Sequence, residues 1–250
     1  MQSNTHELAQ VAATAQAVEA GTGRVNLYAG IHKALRAFMA DTLLAVGRTD
    51  PADAQEVAAT QERVGTLLDL CVAHVRHENG FVHPAIEAHS PGVVDGVAGE
   101  HLGHLEQIAR LRAMANGLEG LAPAACAAAL QNLYLALALF VAENLQHMHI
   151  EETVLNGALW QAFSDAELVG IHDGLLATVP PAEMMLVMRW MLPQLNAPER
   201  LELLGGMRQG APAPVFQAVL DGARAQLAER DWAKLARGLG LAPVDGLVTA

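Results

Sequence analysis

The stretch His147–Leu159 reads HMHIEETVLNGAL, and it runs nearly in step with His74–Ile86, HVRHENGFVHPAI. With His74 laid on His147, Glu78 falls on Glu151, Phe81 on Val154, Val82 on Leu155, Ala85 on Ala158 and Ile86 on Leu159. Pro84 falls on Gly157, so a breaker-type residue follows each His-x-x-x-Glu. One more apolar-flanked histidine precedes each copy, His32 the first and His101 the second. A repeat that copies ligand-type side chains along with apolar ones points to a doubled functional unit.

Outward from these stretches the apolar residues keep helical spacing. Leu27, Ile31, Leu35 and Phe38 form a stripe on a first helix over about 25–46, with His32 beside it. Asp50-Pro51 reads as a cap followed by proline at the first helical position, starting a second helix. Its seam is Val57, Thr60, Val64, Leu67, Cys71, His74 and Glu78, and Pro84 and Ser90-Pro91-Gly92 are expected to break it. A third helix, about 94–116, carries Val97, His101, Leu105, Ile108 and Leu111 on one face. A fourth runs from Pro123 to about Leu155 along Leu133, Leu137, Phe140, Asn144, His147, Glu151 and Leu155. Four long amphipathic helices with short connections predict an all-α fold, an up-down-up-down four-helix bundle over residues 25–160. A short peripheral helix is expected over 5–20. After Trp160 the elements shorten, with capping-box patterns at Ser164…Glu167 and Asn196…Glu199. Helices are expected at about 165–177, 181–192, 197–208, 213–228 and 230–238, forming a small helical module over 163–245. The methionines between residues 184 and 207 read as packing in its core.

Composition narrows the function. The chain has 250 residues and a formal net charge of −12, with no basic cluster that could track phosphates, so no nucleic-acid partner is expected. Cys71 and Cys126 lie in apolar helical sequence and read as buried thiols. The opening MQSNTHELAQ lacks a basic region followed by an apolar core, which favours the cytoplasm. Leu121–Ala142 carries no charge, yet it continues without a breaker into His147 and Glu151; a buried bundle helix is expected there and no membrane span.

Histidine and glutamate inside an apolar bundle are costly unless paired or bound to a metal. The seams bring six such positions together: His32, His74, Glu78, His101, His147 and Glu151. Each half supplies two imidazoles and one carboxylate, a nitrogen and oxygen set suited to non-haem iron, with manganese and zinc as rivals. Two facing halves make a dinuclear site whose carboxylates can bridge. Tyr28 and His104 are candidates for hydrogen bonding behind the ligands; for His104, three residues after His101, an extra ligand role and a plain surface position stay open. His77, His83, His89 and His149 fall off the main seams. No G-x-S-x-G, P-loop or dinucleotide glycine pattern is present.

The segments GIHKAL around His32, HVRHENGFVHP, GEHLGHLEQI and HMHIEETVL together resemble the hemerythrin-type HHE domain. The resemblance covers residues 25–160 and implies a four-helix bundle holding two iron ions. It implies His32 and His74 on one iron, His101 and His147 on the other, and Glu78 and Glu151 as bridges. Oxygen-carrying hemerythrins use five histidines, with a His-x-x-x-His pair on the third helix and a final aspartate. Here Leu105 stands four residues after His101, and the last acid is Glu151. The set is more similar to HHE domains of iron-centre repair proteins and of iron- or oxygen-sensing regulators. The C-terminal stretch is similar to helical extensions that follow such domains in some bacterial proteins and in plant iron-sensing ligases.

The expected function is therefore binding of O2, NO or peroxide at an iron pair, as sensor, store or iron-handling protein. A di-iron oxidase, oxygenase or peroxidase is the first alternative. A helical interaction module, meeting a protein partner through its C-terminal helices, is the second.

Overall fold

The computed structural model describes residues 23–241, so the helix expected over 5–20 lies outside the described residues. Among the described residues every regular element is a helix. Helix α1 spans Ala29–Arg48, and the side-chain oxygen of Asn26 accepts from the N–H groups of Tyr28 and Ala29 at its start. Helix α2 spans Ala54–His77. It starts later than the Asp50-Pro51 pattern suggested. Asp53 is the cap, accepting from the N–H groups of Gln55 and Glu56, whereas Asp50 Oδ1 accepts from Ala52 N in a preceding turn. The Asp53 carboxylate meets the first-turn N–H groups, while Glu56 Oε2 accepts from the Asp50 N–H and the Asp53 N–H donates to the Asp50 carbonyl, which fixes the turn ahead of the helix.

The largest departure from expectation comes next. Pro84 does not end the second helix. A π turn over Glu78–Val82 leads directly into α3, His83–His89. In a plain α-helix, proline removes the N–H that the carbonyl four residues back requires. Here the ladder has already shifted, with His83 N–H donating to the Glu78 carbonyl five residues back. The missing donor falls where the bonding pattern is already in transition, so the helix passes through. Helix α4 spans Asp95–Asn116 and α5 spans Pro123–Ile150. A second π turn, Glu151–Leu155, joins α5 to α6, Asn156–Ala162. Gly157 therefore sits inside a helix and does not stop one.

Helices α1, α2, α4 and α5 form the bundle, and α4 lies between α2 and α5. The expected seams are its core: Val64, Leu67, Ile108, Leu133, Leu137 and Phe140 are all buried. Close approach of α1 to α5 depends on Gly47, where a Cβ would sit 3.0 Å from the Tyr134 ring. At the other end Arg24 ties the chain's entry to α6 and beyond, donating to the Trp160 and Phe163 carbonyls and pairing with Asp165 at 2.7 Å. Trp160 Nε1 donates in return to the Val25 carbonyl. Pro123–Ala162 is long and apolar enough to cross a membrane by length and composition. A bundle core helix passes the same test, and this one carries buried His147 and Glu151.

By packing, the chain divides into two compact units. One is Phe38–Val179 with the segment ending at Ala29; the other is Gly30–Ala37 with the segment beginning at Pro180. Helix α7, Asp165–Leu176, goes with the first unit; Ser164 and Glu167 form its capping box. Its Leu168 is fully buried in one cluster with Ile86, Val97, Leu155 and Leu159. In the second unit α8 spans Pro181–Met191, α9 Ala197–Gly210, α10 Ala213–Gln226 and α11 Glu229–Gly238. Its core joins Met188, Leu192, Leu204, Val219, Ala223, Trp232 and Leu235, with Met184 and Met207 against it. Buried Arg200 donates to the Leu192 and Pro193 carbonyls, satisfying backbone groups that the end of α8 leaves open. Lys33 pairs with Glu199 at 2.6 Å in the same unit.

Leu168→Ala is expected to destabilise the protein by about 2–5 kcal/mol, because it empties a closed site. Leu139→Ala, 67% exposed, is expected to change stability by no more than about 0.5 kcal/mol. Denaturant titration checks both. Truncations test the division into a bundle ending at 160 and a module from 163. A chain ending at residue 179 keeps Leu168 and the Arg24–Asp165 pair, and is expected to melt higher than one ending at 162.

Candidate metal centre

The inward faces of α1, α2, α4 and α5 meet near the two π turns. His32, from the second turn of α1, is fully buried. His74 and Glu78 are four residues apart at the end of α2, so both side chains project from one face. The Glu78 carboxyl divides its oxygens, with Oε1 lying 3.2 Å from His74 Nε2 and Oε2 lying 3.4 Å from His101 Nε2. On the other half, Glu151 Oε1 lies 3.2 Å from His147 Nε2 and 3.6 Å from His101 Nε2. Both carboxylates are almost wholly removed from water, at 3% and 0% exposure.

These side chains make two groups able to hold a metal ion: His32, His74, Glu78 and Glu151, and Glu78, His101, His147 and Glu151. In each group the ligand atoms all lie within 4.8 Å of one another. Both groups include both carboxylates. Four imidazole nitrogens and shared carboxylate oxygens are a donor set that fits iron, manganese or zinc. The His101 and His147 Nε2 atoms face each other at 2.9 Å. Two imidazole nitrogens that close require either a shared proton or a cation accepting both lone pairs.

The backs of these rings are held in place. His101 Nδ1 lies 2.9 Å from Asn79 Oδ1, and His147 Nδ1 lies 2.7 Å from Glu100 Oε2. If each Nδ1–H donates to its oxygen, each Nε2 keeps its lone pair for the centre, which is how ligating histidines are usually oriented. Neither partner came out of the seam reading. Both stand beside a candidate ligand in sequence, Glu100 before His101 and Asn79 after Glu78. Each reaches a ring on another helix, which periodicity along a single helix does not register.

Tyr28 is 1% exposed; burial, then the charges of Glu78 and Glu151, hold its phenol well above its usual pKa, as a neutral hydroxyl. His104 is also buried, and its ring meets His147 edge-on at 4.7 Å. Burial, then the neighbouring His147 and His101, lower its pKa to about 4, so it stays neutral. His83, which the seams placed off the site, lies within it. It is 5% exposed and stacks on His101 with centroids 5.1 Å apart and planes 6° apart. Burial, and next the charge on His101, push its pKa down. His101 itself goes the other way. Burial disfavours its charged form, but hydrogen bonds to Glu151 and Glu78 outweigh that and raise it to about 9. Burial likewise opposes charge on His147, and Glu151 and Glu100 reverse it, so its pKa rises.

The family model described as hemerythrin HHE cation-binding domain matches residues 24–159 of this chain. No curated protein and no solved structure matches it.

Asn79→Ala and Glu100→Ala are each expected to weaken metal binding by about 10- to 100-fold, by releasing a ring from its orientation. Glu106→Ala, an exposed neighbour on α4, serves as the unchanged control. Competition against a coloured chelator reads this out. Metal must displace the protons that the two carboxylates hold on His101 and His147. Apparent affinity is therefore expected to rise with pH up to about 9, with protons released on loading. Titration calorimetry in buffers of different ionisation heat measures that release.

Proposed function

Because this chain belongs to the hemerythrin HHE cation-binding family, we propose that it is a non-haem di-iron protein that binds O2, NO or peroxide at the metal pair. The observation that carries this reading is the sharing of Glu78 and Glu151 by both donor groups. Two buried sites that use the same two carboxylates are suited to two ions held side by side. His32 and His74 would hold one iron and His101 and His147 the other, with the carboxylates between them. When bound, the pair supplies a redox-active centre with coordination positions open to a small ligand.

The chain's own residues would set the conditions for that ligand. Glu78 and Glu151 offset the positive charge inside the bundle. Asn79 and Glu100 fix two imidazoles and thereby the direction of their lone pairs. Ile86, Val97, Leu155 and Leu159 close the bundle beyond the π turns and keep bulk water out. Tyr28, neutral and facing the charge of both carboxylates, offers a hydroxyl on the same side. We place the protein in the cytoplasm, a reading supported by its two free buried thiols, Cys71 and Cys126.

Iron-replete expression is expected to give about two iron ions per chain, on the donor-set argument. Elemental analysis distinguishes iron from manganese and zinc. Glu78→Ala and Glu151→Ala are expected to lose the pair, and His104→Ala to keep it. Two ions retained in both glutamate variants would overturn the ligand assignment. Mixing the reduced, iron-loaded protein with O2 in a stopped-flow spectrometer separates binding from turnover. A long-lived complex is the expected outcome; rapid decay with repeated O2 consumption would make the protein an oxidase or related enzyme instead.

A further inference from the structure

The repeat that superposes Glu78 on Glu151 also superposes His83 on Asn156. Each is the first residue after a π turn, and each donates its backbone N–H to the carbonyl of its own glutamate. That bond has a geometric consequence. In an α-helix, residues five apart differ by about 140° around the axis and face apart. A π turn closes its hydrogen bond over five residues, which brings the fifth residue round to the face of the first. His83 and Asn156 therefore follow Glu78 and Glu151 on the inward side, one turn further along.

Both are polar and both are buried, His83 at 5% and Asn156 at 0% exposure. Their polar atoms nonetheless lack protein partners: His83 Nε2 and Asn156 Nδ2 and Oδ1 make no hydrogen bond. Buried polar groups without partners are rare and costly, and an unmade bond to a ligand is one reason they persist. His83 is tied to the site by its stack on His101. Helices α3 and α6, which the two residues begin, pack against each other. Val82, Ile86, Leu155 and Leu159, from the same π turns and helices, are buried in one apolar cluster.

We propose that His83 and Asn156 hydrogen-bond a small anionic ligand of two or three atoms bound at the metal pair, a dioxygen-derived anion or an equivalent such as azide. This rests on the metal-binding function proposed above. The metals would hold one end of the ligand, while an imidazole N–H and an amide N–H meet its far end. The pair makes the site selective for ligands that carry negative charge away from the metal, and disfavours neutral apolar ones.

The test uses the full chain, loaded with iron and titrated with sodium azide, alongside His83→Phe and Asn156→Leu. Both variants are expected to keep the wild-type metal content and to bind azide at least about tenfold more weakly, the loss of one hydrogen bond to a charged group. His83→Gln, which keeps a donor, is expected to recover part of that affinity and covers the case in which the phenylalanine variant does not fold. A second readout needs no metal. Asn156→Leu in the metal-free protein is expected to melt no lower than wild type, because it removes an amide with no partner. Unchanged azide affinity at full metal content would overturn the proposal. So would loss of one metal ion in His83→Phe, which would make His83 a ligand, or a lower melting point for metal-free Asn156→Leu, which would make the amide structural. A wild-type chain that takes up no metal would instead overturn the proposed function and this inference with it.

Discussion

Two carboxylates at the centre of an apolar bundle set the terms for everything around them. Glu78 and Glu151 are almost wholly removed from water. A charge in that position is strongly unfavourable unless opposite charge or hydrogen-bond donors stand against it. The bundle answers with four histidines from four helices, and the two carboxylates hold protons on His101 and His147 that would otherwise leave. A metal pair would do the same task with more charge in less space. The helix seams, the two π turns and the polar groups behind the rings all follow from the need to bring those side chains to one point.

Much of this could be read from the sequence, because the candidate ligand residues continue the apolar stripes. His74 and Glu78 extend the α2 seam, and His147 and Glu151 extend that of α5, so the rule that finds the core also finds the site. The capping patterns at Ser164 and Asn196 gave the starts of α7 and α9 for a similar reason: a side chain bonding its own first turn is a local event. His83 was hidden by the same rule. A periodicity of 3.6 residues carried past Glu78 points it away from the site, and the π turn brings it back. Asn156 was hidden twice, by the second π turn and by a residue type that reads as a turn former. Asn79 and Glu100 act across helices, and no spacing within one helix encodes that. At Asp50 and Asp53 two caps stand three residues apart, and the helix starts at the one whose carboxylate reaches the N–H groups of Gln55 and Glu56.

The helices after Pro180 have a core of their own, with aromatic and methionine side chains around Leu204. Arg200 at its edge shows how such a small unit stays satisfied: a buried guanidinium donates to two carbonyls at the end of α8 and pairs with Asp231 at 3.6 Å. Among the described residues, none of this unit after Pro180 enters either candidate metal-binding group.

The π turns also change what kind of sequence change this bundle can absorb. Each is one residue longer than an α-helix would need over the same path. Deleting one residue from Asn79–Val82 would let α2 and α3 join as continuous α-helix, and His74 and Glu78 would stay where they are. Everything after the deletion would keep its facing, because the shortened path needs one residue fewer, and His83 would follow Glu78 by four residues on the same side. Ordinary substitutions move this site by small steps. A single-codon deletion in either turn is absorbed by the turn itself, whereas one in a plain α-helical stretch of the bundle would rotate every later side chain by about 100°.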